Sequence, residues 1–271
     1  MKALIVSHEA GTKPGFVGDR LTERGVTCHS HVMVPETSLP DWFEPPPQNG
    51  FDLLVIMGSY WSVYEDAISA WIGDELDLIR RSHEGGTPVL GICFGGQALA
   101  AALGGSVELS PETEIGWYEI TPADGTELPI STGPWMEWHH DRFALPPGAE
   151  LLASTEACPQ LFRVGRSVGT QFHPEISVEL ASHWMRESSD SYLDSCGVTR
   201  EGILADVTRN EAANRRNCFD LVDWFLDDVA HSKSHAQRPG HDDAATGLEE
   251  PPLDLPVRLS EGSIEDRADR L

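Results

Sequence analysis

The chain has 271 residues, 40% of them hydrophobic, and its 44 acidic against 19 basic residues give a formal net charge of -25. This length and apolar content are sufficient for a folded domain with a substantial core, which excludes a wholly disordered protein. So large a negative charge repels phosphate backbones and anionic lipid surfaces, so neither nucleic acid nor a membrane is expected as a partner.

The N-terminal segment and the cysteines predict a cytoplasmic protein. The apolar run at residues 2–6 is too short for the core of a signal peptide, and no window approaches the roughly 18 apolar residues of a membrane span. The five cysteines are widely spaced and form no CxxC pair, which predicts free thiols and neither a disulfide framework nor a zinc site. We expect no metal site and no cofactor.

The first half of the chain alternates predicted strands and helices. The predicted strands cover residues 2–6, 26–34, 51–57 and 87–92, and the predicted helices cover residues 15–24 and 66–82. A proline-rich loop is predicted over residues 35–50. Continuous apolar strands that alternate with helices predict an α/β fold with an open, mostly parallel sheet flanked by helices.

The second half predicts additions to this sheet. Residues 106–170 are rich in Pro, Gly and short β-like runs, which predict a small antiparallel β region covering one side of the sheet. C-terminal helices are predicted over residues 177–188 and 209–230. Beyond them the apolar periodicity stops, so we expect one domain over residues 1–230 and a disordered acidic tail over residues 231–271.

The stretch VLGICFGGQALAAALGG, residues 89–105, carries the strongest chemical signal. A strand that ends in Gly-x-Cys-x-Gly and runs into a helix has the layout of a nucleophile elbow, with the nucleophile on a tight turn. Gly91 and Gly95 leave room for strand and helix to approach each other beside Cys93. The predicted helix begins at Phe94, so its N-terminus favours a thiolate and its first N–H can face an oxyanion.

A base for this thiol is predicted at the end of another strand. The segment VGTQFHPE places His173 and Glu175 at a strand end, where α/β sheets build their sites. Glu175 would hold His173 in one tautomer, as the acid does in other triads. The turn Gly58-Ser59 ends a third strand and offers a second oxyanion donor.

These blocks resemble a known family. The segments GICFGGQALA and QFHPE are similar to the signature blocks of class I glutamine amidotransferases, and residues 134–175 most resemble the glutaminase domain of GMP synthase. The resemblance implies that Cys93 is the nucleophile, His173 the general base and Glu175 its partner. It also implies that Gln97 helps to hold the substrate, and that the reaction releases ammonia from glutamine through a γ-glutamyl thioester.

The sequence departs from the family pattern at several positions. Gly96 replaces a histidine often found before the elbow glutamine, and Ser59-Tyr60 replaces Gly-Pro in the oxyanion strand. No pyrophosphate loop of the SGGxDS type and no Walker sequence is present, so the chain resembles a stand-alone amidotransferase. The resemblance therefore implies a glutaminase that supplies ammonia to a separate synthetase or acceptor subunit.

Two other functions remain open at the level of sequence. A free-standing γ-glutamyl hydrolase or peptidase would use the same thioester chemistry on γ-glutamyl amines or peptides. A non-catalytic regulatory module could retain the fold without the activity.

Overall fold

A computed structural model describes residues 1–9, 13–33 and 50–231. Its strands are β1 (Lys2–Ser7), β2 (Thr27–Val32), β3 (Leu53–Ile56), β4 (Val89–Ile92), β5 (Ser106–Tyr118), β6 (Thr121–Pro122), β7 (Trp135–Ala144), β8 (Glu150–Ser154), β9 (Pro159–Val164) and β10 (Ser167–Thr170). Its α-helices are α1 (Gly15–Glu23), α2 (Ile72–Glu84), α3 (Phe94–Ala102), α4 (Val178–Glu187), α5 (Asp190–Ser195) and α6 (Arg200–Trp224). The predicted loop before residue 50 and the predicted tail after residue 231 lie outside these described residues.

Eight of these strands form one sheet in the order β2-β1-β3-β4-β10-β9-β8-β6. The first five run parallel to one another, and β1, β3 and β4 are buried on both faces, as their continuous apolar runs predict. The α/β class and the mostly parallel sheet are therefore confirmed. The strand order reverses beside β1 and β3, and open α/β sheets bind ligands at such a point.

The predicted antiparallel region is present, and its strands are divided between the main sheet and a separate pair. Strands β9, β8 and β6 extend the main sheet beyond β10, and β5 pairs with β7 in a separate two-stranded sheet. The turn between β9 and β10 contains Gly165, whose φ of 56° lies in the left-handed region. This turn reverses the chain within the plane of the sheet, so β9 pairs antiparallel with β10.

The helix predicted over residues 66–82 begins later than expected. Residues 66–68 form a short 3-10 helix, and Trp71, with a φ of -135°, separates this turn from α2. Apolar spacing alone could not locate this break, because Ile68 and Trp71 are both buried and continue the apolar pattern.

The last helix begins earlier than the predicted residue 209. It starts at Arg200, where the hydroxyl of Thr199 accepts a hydrogen bond of 3.1 Å from the N–H of Gly202. In its N-terminal half only Ile203 and Val207 are buried, so its apolar signal is weak. The short helix α5 was not predicted.

Helices cover both faces of the parallel strands. On one face α1 and α6 bury Leu21 and Leu221, and on the other α2 and α3 bury Ile79 and Leu99. A third apolar cluster joins α4 to α6 beneath β7. None of the helices within the described ranges is both long and apolar enough to cross a membrane.

Candidate active site

Three neighbouring parallel strands bring the predicted site residues to one edge of the sheet. Gly58 follows β3, Cys93 follows β4 and His173 follows β10, and these strands are adjacent. A Cβ atom built on Gly58 would lie 2.9 Å from Cε1 of His173 and 3.8 Å from Cβ of Cys93. The three positions, far apart in the sequence, therefore form one site.

Cys93 occupies a strained turn between β4 and α3. Its φ of 50° and ψ of -106° make it the one non-glycine residue with positive φ among the residues that the structure describes. Such a conformation costs on the order of 1–3 kcal/mol and is typical of functional sites. A Cβ on Gly91 would lie 2.3 Å from the carbonyl oxygen of Gly95, and one on Gly95 would lie 2.1 Å from that of Ile56. The glycines are thus required by the close approach of strand and helix.

His173 and Glu175 form a buried hydrogen-bonded pair. Nδ1 of His173 donates to Oε1 of Glu175 over 2.8 Å, and Nε2 has no hydrogen-bond partner among the described residues. Burial alone lowers the pKa of His173, but the negative charges of Glu175 and Cys93 outweigh it and raise this pKa well above its ordinary value. The surroundings of His173 therefore favour its imidazolium form, which can give a proton to a leaving group.

The predicted oxyanion donors lie next to Cys93. Phe94 is the first residue of α3, so its N–H has no acceptor within the helix. Gly58 and Ser59 line the same cavity as Cys93 and His173. Both backbone segments therefore lie beside the predicted nucleophile, and their role as oxyanion donors stays a prediction.

Gln97 lines this cavity, but its side-chain amide N–H groups contact other residues of the protein. Its Nε2 donates to the carbonyl oxygen of Asp141 at 3.0 Å and lies 3.4 Å from Oε1 of Gln171. Gln171 in turn directs its Nε2 at Sγ of Cys93 over 3.6 Å. A substrate would therefore contact Gln97 through its side-chain carbonyl group.

The site opens into a cavity with aromatic walls and an empty volume of about 1200 Å³, open solvent included. The indole N–H of Trp138 on β7 donates to the Tyr192 hydroxyl at 2.9 Å, and the ring of Trp184 on α4 stands edge-on to His173 with centroids 4.9 Å apart. Sequence reasoning missed this wall. The dense aromatic and histidine content of β7 was a signal for it, whereas Trp184 on an amphipathic helix was not.

A second group of ionisable side chains includes His139, which lines the same cavity as Cys93 and His173. Glu114, His139 and Cys158 are buried, and their potential metal-ligating atoms lie within 4.8 Å of one another. Nε2 of His139 lies 3.1 Å from Glu114 and 3.4 Å from Glu137. Burial lowers the pKa of His139, but these carboxylates outweigh it and raise this pKa to about 10. Because Gln160 also donates an N–H to Glu114 at 2.9 Å, the group is described better as a hydrogen-bonded ion pair than as a metal site.

Comparisons of sequence identify relatives along most of the chain. A family model described as glutamine amidotransferase class-I matches residues 17–188. A protein described as glutamine amidotransferase-like, YfeJ of Salmonella typhimurium, is 30% identical over 250 residues, which cover 86% of this chain and 100% of that protein. The glutamine-hydrolysing GMP synthase of Ralstonia pickettii is 32% identical over 206 residues, which cover 70% of this chain but only 35% of the synthase.

Solved structures show the same fold. A glutamine amidotransferase from Methylobacillus flagellatus has a TM-score of 0.71 at 26% identity, over 90% of this chain and 99% of that one. A glutamine amidotransferase from Thermotoga maritima has a TM-score of 0.72 at 24% identity, over 84% of this chain and 98% of that one. Because the family model matches more than half of the chain and a relative matches along its full length, the protein belongs to the class I glutamine amidotransferases.

Proposed function

We propose that the protein hydrolyses the γ-amide of glutamine through a thioester on Cys93. The observation that carries this proposal is a cysteine held at positive φ beside a buried His173–Glu175 pair. Neither feature is needed for packing alone, since a strained backbone and a buried carboxylate both reduce stability. Together they supply a nucleophile, a proton carrier and a group that orients it.

Each step of the reaction can be assigned to a side chain. The Cys93 thiolate attacks the γ-carbonyl carbon, and the carbonyl oxygen becomes an oxyanion. The N–H groups of Phe94 and of the Gly58-Ser59 turn stabilise this oxyanion. His173 then gives its proton to the leaving nitrogen, so that ammonia departs and the thioester remains.

The second half of the reaction reverses the role of the histidine. A water molecule gives a proton to His173 and attacks the thioester carbon, which releases glutamate and restores the Cys93 thiolate. Glu175 keeps the imidazole in the orientation that both proton transfers need. Gln97 offers its side-chain carbonyl to the substrate.

We propose that the ammonia is used by a separate acceptor enzyme. The matched residues cover 35% of the length of a GMP synthase that is described as glutamine-hydrolysing, and the family model that matches this chain is that of class I glutamine amidotransferases. A synthetase subunit would then receive the ammonia that is released near the aromatic cavity.

A γ-glutamyl hydrolase is the second candidate, and the cavity favours it. The wall of the cavity formed by β7, α4 and α5 is rich in aromatic side chains. Trp138, Trp184 and Tyr192 could pack against an apolar group on the amide nitrogen. The two candidates share the same acyl-enzyme and differ in the leaving amine.

One experiment tests the shared chemistry and then separates the candidates. The wild-type protein is incubated with glutamine, a γ-glutamyl anilide and a γ-glutamyl dipeptide, and the release of glutamate is measured. We expect Cys93→Ala to lower every such activity by roughly 10³-fold or more, whereas Cys196→Ala leaves it unchanged. Turnover of glutamine alone excludes the hydrolase.

The non-catalytic alternative predicts a different result. A diazo-ketone analogue of glutamine should label Cys93 selectively at neutral pH if the site is active. Absence of both labelling and turnover would overturn the proposed function in favour of a regulatory module.

A further inference from the structure

A buried histidine outside the predicted triad holds the peptide that follows β3. Nδ1 of His8 lies 3.3 Å from the carbonyl oxygen of Gly58, and the side chain is 1% exposed. Nε2 of His8 lies 3.0 Å from each carboxylate oxygen of Glu75, which is fully buried in the first turn of α2. A polar chain therefore runs from Glu75 through His8 to the Gly58-Ser59 turn.

Hydrogen-bond chemistry determines which nitrogen of His8 donates to Gly58. A backbone carbonyl only accepts, so Nδ1 must carry a hydrogen. On the other side, a single proton lies between Nε2 and the Glu75 carboxyl group, whichever of the two holds it. Both arrangements that satisfy the two contacts therefore present an N–H to Gly58.

The bond to Gly58 fixes the direction of a second group. In a trans peptide the C=O and N–H bonds point in opposite directions across a rigid plane. While the Gly58 carbonyl is held by His8, the N–H of Ser59 must point away from His8. Without that bond, the small Gly58 residue offers little resistance to rotation of this peptide.

The ring of His8 also contacts the other side of the predicted oxyanion hole. Its centroid lies 4.6 Å from that of Phe94 in an edge-on arrangement, and 5.5 Å from that of Trp71 in a stacked one. Phe94 follows Cys93 directly and opens α3. One side chain thus touches both segments whose N–H groups are assigned to the oxyanion.

We propose that the Glu75–His8 pair is a positioning device, which orients the Gly58-Ser59 peptide so that its N–H faces the oxyanion formed on the substrate. This inference rests on the proposed function, because it concerns the same transition state. His8 and Glu75 do not touch the reacting atoms. They act on the reaction through the peptide of Gly58 and Ser59.

The test uses a double variant that leaves no buried charge unpaired. In His8→Phe/Glu75→Leu the ring stacking and apolar volume are kept, but the donor to Gly58 is lost. We expect kcat for γ-glutamyl hydrolysis to fall roughly ten- to hundredfold while KM changes by less than about threefold. Wild-type kcat in the double variant would overturn the proposal.

A conservative variant and a second reaction separate positioning from general damage. Glu75→Gln can donate its amide N–H to Nε2 and so keep the hydrogen on Nδ1, and we expect it to retain most of the activity. Alkylation of Cys93 by iodoacetamide forms no oxyanion, so its rate should be the same in all variants. Equal losses of alkylation and hydrolysis, or loss of activity in Glu75→Gln, would contradict a positioning role.

A structural readout keeps this inference separate from the proposed function. A crystal structure of the double variant should show the Gly58-Ser59 peptide rotated or in two orientations. An unchanged peptide would overturn the inference even if the wild-type enzyme is active. A wild-type protein that hydrolyses no γ-glutamyl substrate would instead overturn the proposed function, and the peptide orientation would still be measured.

Discussion

The buried charge of Glu175 predicts how the activity depends on pH. Its negative charge is one cause of the raised pKa of His173, so removing this charge must lower that pKa. His173 needs its proton to release the leaving amine, and activity is lost as pH rises through the pKa of His173. In Glu175→Gln we expect the alkaline limb of kcat/KM to move to lower pH and kcat to fall by roughly 10²–10⁴.

The control for this variant is the same substitution at an exposed carboxylate nearby. Glu179→Gln removes the exposed ion pair with Lys13 and should leave the pH profile in place. Profiles of kcat/KM across neutral and alkaline pH measure both variants. An alkaline limb that does not move in Glu175→Gln would show that His173 does not control it.

At the residue scale the sequence revealed the groups that belong to motifs and missed those that act across the fold. Cys93, His173 and Gly58 could be predicted because glycines and strand ends mark them locally. His8 and Glu75 are 67 positions apart and belong to no motif, so only their hydrogen bond connects them. Gly96 is explained by packing, since a Cβ there would lie 2.4 Å from the carbonyl oxygen of Thr170.

At the scale of elements, the turn from β4 to α3 makes a prediction about stability. Glycine adopts positive φ without a steric penalty, whereas alanine does not. We expect Cys93→Gly to be more stable to urea than Cys93→Ala by about 1 kcal/mol, because strain of ~1–3 kcal/mol exceeds the ~0.4–1 kcal/mol by which glycine favours the unfolded chain.

An ordinary helix position provides the reference for this comparison. At Thr208, exposed on α6, the glycine variant should be less stable than the alanine variant by about 1 kcal/mol. The order of stability is therefore expected to invert between the two sites. If alanine were also the more stable residue at position 93, the turn would not be strained.

Burial and long-range contacts explain why the sequence predicts some strands and helices better than others. Parallel strands such as β1 and β4 are buried on both faces, so their continuous apolar runs identify them. The start of α6 depends on a cap at Thr199 and on contacts distant in sequence, which leave little periodicity in its exposed half. The position of β9 in the sheet depends on the turn at Gly165 and on its pairing with β10, and a run of apolar residues specifies neither.

At the scale of the whole molecule, the buried turn that directly follows α6 is part of the core. Phe225, Leu226 and Val229 follow α6 and are buried in the core beneath the parallel strands. The guanidinium group of Arg166 donates to the carbonyl oxygen of Ala230 and so joins this turn to the end of β9 and the start of β10. Phe225, Leu226 and Val229 thus belong to the core, and the domain boundary at residue 230 remains a prediction.

Truncation tests this boundary. A chain that ends at His231 keeps every buried contact of the described fold, so we expect its Tm and its γ-glutamyl hydrolysis to match those of the full chain. A chain that ends at Trp224 loses three buried apolar side chains, each worth roughly 2–5 kcal/mol. Their sum is comparable to the roughly 5–15 kcal/mol by which domains are stable, so this shorter chain should fail to fold. If the chain ending at His231 also lost its structure or activity, residues 232–271 would be part of the functional unit, and the proposed domain boundary would be wrong.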